Sequence, residues 1–486
     1  MSLAPPRTSP KPFLAAYGRR LLRLGSIRGG GLILSDLSAL VFAFLAGGLP
    51  VLLFSNYFAG DTYAELFSEN TPLRAIQLLA FTGMLVLWLF HRGHYGLRVP
   101  FWTEVQHLAY GCTMALLADG FLQFALKNGF SRLWLVHTWL LAVPLILLMR
   151  RCMRLLLRAV GLWEVPAFVV GTSARIDDAV ELLHSERSLG YSVAATQTLE
   201  SLKAAWPGSW MEACRRVGAQ IVVLAADDAD MANHRGLMND LTLGGIPYIH
   251  VQSLGGMPVI AVESHHVLGQ DLLLMSAQSP LSRPLARSTK TVFDYAGALV
   301  ILTCALPVLG LAALLIRRDG GPVFYAHTRI GKDGVPFRCL KFRTMVTDSD
   351  ARLTELLERD ADARAEWAAA RKLRRDPRVT AVGALLRAYS LDELPQLVNV
   401  LRGEMSLVGP RPVTAEELER FGTDRLFYTH TRPGITGLWQ VSGRSATDFE
   451  RRTQLDAWYV KNWSLWLDVV ILLRTLPAVL SRHGAY

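Results

Sequence analysis

Asp392 and Glu393 stand side by side in SLDELPQLVNVLRGEMSLVGPRP (390–412), with basic residues around them in a pattern that suits phosphate. Lys341 and Arg343 are two apart in the strand-like stretch YAHTRIGKDGVPFRCLKFRTM, which puts both on one face. Two cations on a rigid strand suit a diphosphate, though an exposed basic strand face has the same spacing. Ser390 and Glu393 have the S-x-x-E spacing of a helix capping box. Pro395 would disturb the second turn of such a helix; if the helix begins at Pro395 instead, the acids occupy an exposed turn before it. In both cases Asp392 lies beside free amides that favour phosphate. Neighbouring residues diverge by about 100° on a helix, so the two acids are not a symmetric pair and should differ in role. Gly409-Pro410-Arg411-Pro412 is a stiff turn that fixes one guanidinium, a group suited to bidentate phosphate contact. TRPGITGLWQVSGR (431–444) repeats the arrangement with Arg432 and Arg444. Any one of these turns could be structural, but together with the acids they point to phosphoryl transfer. The chain has no Walker loop and no kinase loop, which leaves a carboxylate nucleophile and an acyl-phosphate intermediate as the natural chemistry.

The elements that position these residues are partly apolar. The 486 residues are 51% hydrophobic and 19% charged, with a net charge of +10, which excludes a disordered chain and suggests anionic partners. The five scattered cysteines support neither a disulfide framework nor a thiolate metal site. Residues 1–28 read as a basic cytoplasmic tail without the apolar core of a signal peptide. Apolar runs at 32–54, 75–90, 105–126 and 132–149 are each near the length that crosses about 30 Å of hydrocarbon. Arg19, Arg20, Arg23 and Arg28 precede the first run, and Arg150, Arg151, Arg154 and Arg158 follow the fourth. Asp61, Glu65 and Glu69 lie in the loop between the first two runs. This asymmetry predicts a four-helix transmembrane bundle over 29–160 with both ends on the cytoplasmic side. Asp36 and Asp119 fall inside the runs, either on an ion or lipid-phosphate pathway or as acids of a helix end or bundle interior.

From 161 to 270 strand-like and helical stretches alternate, predicting a doubly wound, Rossmann-like α/β domain. Its first turn, Gly171-Thr172-Ser173, lacks the glycine pattern of a dinucleotide site, which favours a structural or regulatory role. A linker (271–289) leads to residues 290–486. The apolar run 291–316 contains Pro307 and has basic residues at both ends, as a helix–break–helix dipping into the membrane and returning would; a kinked spanning helix is the alternative. Residues 346–375 read as a solvated helical excursion. Trp458, Tyr459, Trp463 and Trp466 suggest C-terminal helices lying in the membrane interface, with a buried core helix as the alternative.

RIGKDGVPFRCLKFRTM, SLDELPQLVNVLRGEMSLVGPRP, RPGITGLWQVSGR and LDAWYVKNWSLWLDVVILL closely resemble the catalytic domain of the bacterial monotopic phosphoglycosyl transferases, the bacterial sugar transferase family. The layout as a whole resembles the family's large subgroup, with four transmembrane helices, a Rossmann-like cytoplasmic domain and a monotopic α/β catalytic domain carrying a re-entrant membrane helix. The resemblance implies a ping-pong transfer of hexose-1-phosphate from a UDP-hexose to undecaprenyl phosphate, with release of UMP. Galactose is the expected hexose and glucose the alternative, and the product would start an O-antigen, capsule or exopolysaccharide. Asp392 would be the nucleophile and Glu393 its partner, both holding Mg²⁺. Lys341, Arg411, Arg432 and Arg444 would hold phosphates, and the Pro307 break would match the family's anchor, with Leu306 where the family often has serine. A multi-pass protein of the bacterial inner membrane and a homodimer are implied. A non-catalytic membrane scaffold is the reading of another class. Nucleic-acid binding lacks any base-reading module.

Overall fold

The computed structural model describes residues 11–50, 71–96, 98–126, 131–205, 210–232, 234, 236, 239, 241–242, 246–252, 256–260, 262–266, 273–277, 280–318, 320–370, 373, 376–442 and 448–480. Residues 51–54 of the first apolar run, the acidic loop with Asp61, Glu65 and Glu69, and Arg444 lie outside them. The chain divides into two compact units, Met1–Ser253 and Leu254–Tyr486.

The apolar runs of the first unit belong to the helices Lys11–Gly47, Thr71–His91, Phe101–Ala125 and Arg132–Ala159. Among the described residues of this unit, Leu24–Gly47 and Phe101–Ala125 are long and apolar enough to cross a membrane, and Ala75–His91 is a shorter apolar helix. Leu40, Leu85, Leu108, Trp139 and Ile146 are buried where the helices meet, whereas Phe42, Leu79, Leu87, Met114 and Phe121 are exposed. Helices that are apolar on both inner and outer faces are built for a lipid surround. Gly111, which interrupts the third run in the sequence, is a close-packing position: a Cβ there would lie 2.5 Å from Leu85 Cδ1.

β1 (Val165–Gly171), β2 (Tyr191–Thr198), β3 (Ile221–Ala225) and β4 (Tyr248–His250) form a parallel sheet in the order β2-β1-β3-β4. Strand alternation sends Phe168, Val170, Val222 and Leu224 into one core with Leu199 and Leu202. It sends Ala167, Val169, Ile221 and Val223 into another with Ile176, Ala179 and Leu183. Cover on both faces accounts for the continuous apolar runs of β1 and β3. A Cβ on Gly171 would fall 1.8 Å from the Ala225 carbonyl oxygen, so the glycine serves the β1–β3 contact.

The second unit begins with the antiparallel pair β5 (Val262–His266) and β6 (Leu273–Ala277), then the helix Pro284–Arg317. That helix continues through Pro307, so the expected interruption of helical structure is absent; the proline removes one amide without ending the helix. Ala286 near its start and Ala298 and Leu302 in its middle pack in a core with Leu397, Leu407 and Trp463. At its end, Ala312 and Ile316 pack with Phe342 and Leu386. Val300, Leu306, Leu311 and Leu314 are exposed. The hairpin β7 (Phe324–Ile330) and β8 (Pro336–Phe342) follows. Helices Ser349–Arg359 and Ala361–Ala370 occupy the expected excursion, the first without a buried side chain. β9 (Ser406–Val408) and β10 (Gly434–Thr436) then pair in parallel, ahead of helices Phe449–Lys461 and Leu465–Leu480.

Lys290 ties the helix Pro284–Arg317 to this core. Its buried ammonium donates to Ser406 Oγ (2.7 Å), the Val408 carbonyl (3.0 Å) and Asp468 Oδ2 (2.8 Å). Asp294 accepts the Leu407 amide at 3.1 Å and the Ser406 hydroxyl at 2.8 Å. Tyr459 Oη and Trp463 Nε1 also bond Asp468, at 2.7 and 3.0 Å. These two aromatics, expected at the membrane interface, are instead 1% and 4% exposed, because their polar tips are needed inside.

A second buried ion cluster closes the bundle of the first unit. Arg150 bonds both oxygens of Asp36 through Nε (2.7 Å) and Nη2 (2.6 Å), and Glu104 through Nη1 (2.6 Å). Tyr95 Oη donates to Asp36 at 2.7 Å, and Arg154 also bonds Glu104. Asp36 is thus a bundle-interior acid, as is Asp119, which accepts Trp139 Nε1 at 3.0 Å. The arginine Arg150→Met removes would leave Asp36 buried without its cation, a cost of about 3–5 kcal/mol. Unfolding of the detergent-solubilised variant should shift to lower temperature; an unmoved midpoint would show that the bundle does not depend on the pair.

Candidate active site

Asp392 and Glu393 occupy a 3₁₀ turn, Leu391–Glu393, directly before the helix Gln396–Leu401. Ser390 enters the turn at φ +55°, and its side chain makes no cap. The capping-box option therefore fails, and the acids take the alternative place ahead of the Pro395 helix. Proline suits that position because its missing amide would have no helical partner.

β8 is fixed to the same helix by Asn399, which donates to the Arg338 carbonyl (2.8 Å) and accepts the Leu340 amide (3.0 Å). Lys341 follows on the strand face of Phe337 and Cys339, and its Nζ bonds Glu393 Oε1 at 2.6 Å. Burial, and then the adjacent Glu393, push the Asp392 carboxyl above the ordinary aspartate range, while Lys341 and Arg387 pull it back. Arg387 was not among the residues expected from the sequence. It lies near the end of the helix Ala381–Ala388, where its Nε donates to Thr344 Oγ1 at 2.9 Å. Its place about one helical turn before the acids, in LLRAYSLDE, was the available signal.

Arg411 and Arg432 are brought together through their backbones. The Gly409 amide donates to the Thr436 carbonyl (2.9 Å) and the Gly434 amide to the Pro410 carbonyl (2.8 Å). A Cβ on Gly434 would lie 2.1 Å from the Gly409 nitrogen, and one on Gly437 would lie 2.3 Å from the Gly409 oxygen. Only bare backbone fits this crossing. The Arg411 guanidinium is exposed and lies 5.7 Å from the Trp439 ring centre, with Arg452 at 4.8 Å from the same ring. Arg411 is close enough to Cys339, as are Lys341 and Glu393, to act on its charge. Arg432 approaches Gly403, which is at φ +77° and beside the Tyr295 hydroxyl.

Arg343 does not share the diphosphate position expected for it. β8 ends at Phe342, and Arg343 is 9% exposed with Nη2 donating to the Ile316 carbonyl at 3.1 Å. It closes the last turn of the membrane helix, as basic side chains do at helix ends. A Cβ on Gly321 would meet its guanidinium at 1.9 Å, which explains the glycine. Arg444 lies outside the described residues.

No group of three or more His, Cys, Asp or Glu among the described residues forms a metal cage. The Asp392–Glu393 pair does offer two carboxylates, the number Mg²⁺ takes when substrate phosphates and water complete its shell. The donor chemistry therefore fits.

An acid pair set between cations, on a unit with its own apolar helix, suits chemistry on a phosphate group at a membrane. The bacterial sugar transferase model matches residues 285–482, and a CoA-binding domain model matches residues 91–206. The UDP-galactose-lipid carrier transferase of Erwinia amylovora is 36% identical over 460 residues, 93% of this chain and 96% of its own. The undecaprenyl-phosphate galactose phosphotransferase of Salmonella typhimurium is 36% identical over 440 residues, 88% of this chain and 92% of its own. The exopolysaccharide production protein ExoY of Rhizobium meliloti is 51% identical over 205 residues, 42% of this chain and 91% of its own. The chain belongs to the bacterial sugar transferase family and is a transferase.

Gly434→Ala would force the two turns apart, at a cost of about 1–3 kcal/mol for overpacking. A lower unfolding midpoint together with weaker binding of a phosphate-bearing substrate is expected; unchanged values would mean the crossing can yield.

Proposed function

We propose that the chain transfers hexose-1-phosphate from a UDP-hexose to undecaprenyl phosphate, releasing UMP, as the first membrane step of O-antigen, capsule or exopolysaccharide synthesis. The observation that carries this reading is the Asp392–Glu393 turn set between Lys341 and Arg387. An Asp392 carboxylate oxygen attacks the β-phosphorus of the donor. The bond from that phosphorus to the bridging oxygen breaks, and UMP leaves with the oxygen and its electron pair. A phosphate oxygen of the lipid then attacks the same phosphorus, the bond to Asp392 breaks, and the carboxylate is restored. Lys341 and Arg387 favour the ionised form of Asp392 that the first step requires, against the burial that opposes it. Arg411 and Arg432 hold donor phosphates, with Arg444 as a further candidate. Mg²⁺ held by Asp392 and Glu393 would neutralise charge on the donor diphosphate.

The site works at the cytoplasmic face of the bacterial inner membrane. The bundle crosses the bilayer four times, and the helix Pro284–Arg317, bending at Pro307 rather than breaking there, enters and returns to the same face. What supports re-entry is that Ala286 and Ile316, close to its two ends, both pack onto the one polar unit. A spanning helix would carry its ends to opposite sides. Galactose is the proposed hexose, supported by the names of the relatives aligned over nearly the whole chain, and a homodimer is the proposed assembly.

The test is UMP release by the purified membrane protein with undecaprenyl phosphate and Mg²⁺, using UDP-galactose and UDP-glucose, wild type beside Asp392→Asn. Release with UDP-galactose that falls to background in the variant is expected. Release with UDP-glucose alone would replace the sugar, normal turnover by Asp392→Asn would remove the nucleophile, and no release with any donor would favour a scaffold.

A further inference from the structure

We infer that Asn399 and Glu404 are positioning residues for the acid turn: the Asn399 side-chain amide, held in one orientation by Glu404, sets the spacing between Lys341 and the Asp392–Glu393 pair. What the acids do rests on the function proposed above; the bonds around Asn399 do not.

Arg338 and Leu340 are two apart on β8, so their backbone groups project from the same edge of the strand. The Asn399 side chain meets both, as a peptide unit of a further strand would. Its Nδ2 donates to the Arg338 carbonyl at 2.8 Å, and its Oδ1 accepts the Leu340 amide at 3.0 Å. The second proton of Nδ2 goes to Glu404 Oε2 at 2.6 Å. A carboxylate has no proton to give, so it accepts from the nitrogen end of the amide and repels the oxygen end. Glu404 thereby decides which way the amide faces. Reversed, the amide would set its oxygen against the Arg338 carbonyl and its protons against the Leu340 amide. Glu404 is held in place by its own backbone amide, which donates to the Asn399 carbonyl at 3.0 Å.

Both ends of this link reach the site within a few residues. Lys341 follows Leu340 directly. In the other direction, bonds between residues three apart lead from the Asn399 helix back to the acids. Val398 N donates to Pro395 O and Leu397 N to Leu394 O, both at 3.0 Å. Leu394 N donates to Leu391 O and Glu393 N to Ser390 O, both at 3.3 Å. The acid turn and Asn399 therefore move as one piece, and Lys341 Nζ meets Glu393 Oε1 at 2.6 Å across the joint. That ion pair is partly open to water and too weak to set the spacing by itself. Asn399 is fully buried, where matched donors and acceptors hold a side chain firmly.

Asn399→Asp keeps the shape but turns a donor into an acceptor that faces two others. It should lower kcat/KM for UMP release by up to about 100-fold, the scale of a misplacement of about 1 Å. Lys341 holds the Asp392 carboxyl down, so loosening Lys341 lets that carboxyl rise further. The carboxylate is the active form and is lost as pH falls, so the acid limb of the pH profile should move to higher pH. Lys341→Met should move the limb the same way, and the double variant no further. Glu404→Gln, whose amide oxygen can accept the same proton, should behave as wild type, whereas Glu404→Leu should move the limb upward. A purely structural Asn399 would lower the unfolding midpoint and leave the limb in place. A folded Asn399→Asp with an unmoved limb, additive shifts in the double variant, or a Glu404→Gln as impaired as Glu404→Leu would each overturn the inference. If Asn399→Asp does not fold, the two Glu404 variants decide by the same criteria. Hydrogen exchange of the wild-type Leu340 amide, read without substrate, tests the contact apart from turnover. Slow exchange supports it, and exchange at the free-peptide rate overturns it. Absence of UMP release by wild type would sink the functional reading while leaving the exchange result in force.

Discussion

One ammonium group, that of Lys290, joins the apolar helix to the strand from which the arginine turns project. Two carboxylates, a hydroxyl and a main-chain carbonyl converge on it, all within hydrogen-bonding range and away from water. Burying a lysine is costly, and the cost is offset only where its protons and the facing lone pairs are all used. The Tyr459 hydroxyl has one proton and two candidate acceptors, Asp468 at 2.7 Å and the Val408 carbonyl at 3.0 Å. Burial pushes the Asp468 carboxyl up even with Lys290 beside it. Val408 immediately precedes Gly409. The depth of the helix and the position of the Arg411 turn are therefore set by the same few bonds.

The ion pair at the acids works differently. Lys341 and Glu393 are about a quarter to a third exposed, at 30% and 24%, and a pair that open contributes little to stability. Its effect is electrostatic and local. Glu393 opposes ionisation of Asp392, and Lys341 and Arg387 favour it, so the state of this carboxyl depends on three neighbouring side chains drawn from a turn, a strand and a helix. The Lys341–Glu393 pair is not needed to hold the fold together, which leaves it free to be arranged for charge.

Much of this was legible beforehand where the chemistry is local. The apolar runs, the alternating α/β texture and the acid pair before Pro395 all follow from neighbouring residues. Arg343 misled because strand parity was carried one residue past the end of β8, where the chain turns to meet a helix terminus. Tyr459 and Trp463 misled because aromatic density looks alike at a membrane interface and around a buried acid; the difference lies in Lys290 and Asp468, distant from each other in sequence. Pro307 suggested a stop, but a proline removes one hydrogen bond, and a long apolar helix can continue without it. Arg387 escaped notice for a related reason, since its tie to Thr344 depends on how a helix packs against the strand region.

At Gly409, Gly434 and Gly437, backbone meets backbone with no room for a Cβ. No graded series of side chains leads away from that contact, because even the smallest step, to alanine, is already too large. Sequence drift at this place is all or nothing. A lineage can change the side chains that project from the crossing, while the spacing of the two arginine turns passes unaltered from one variant to the next.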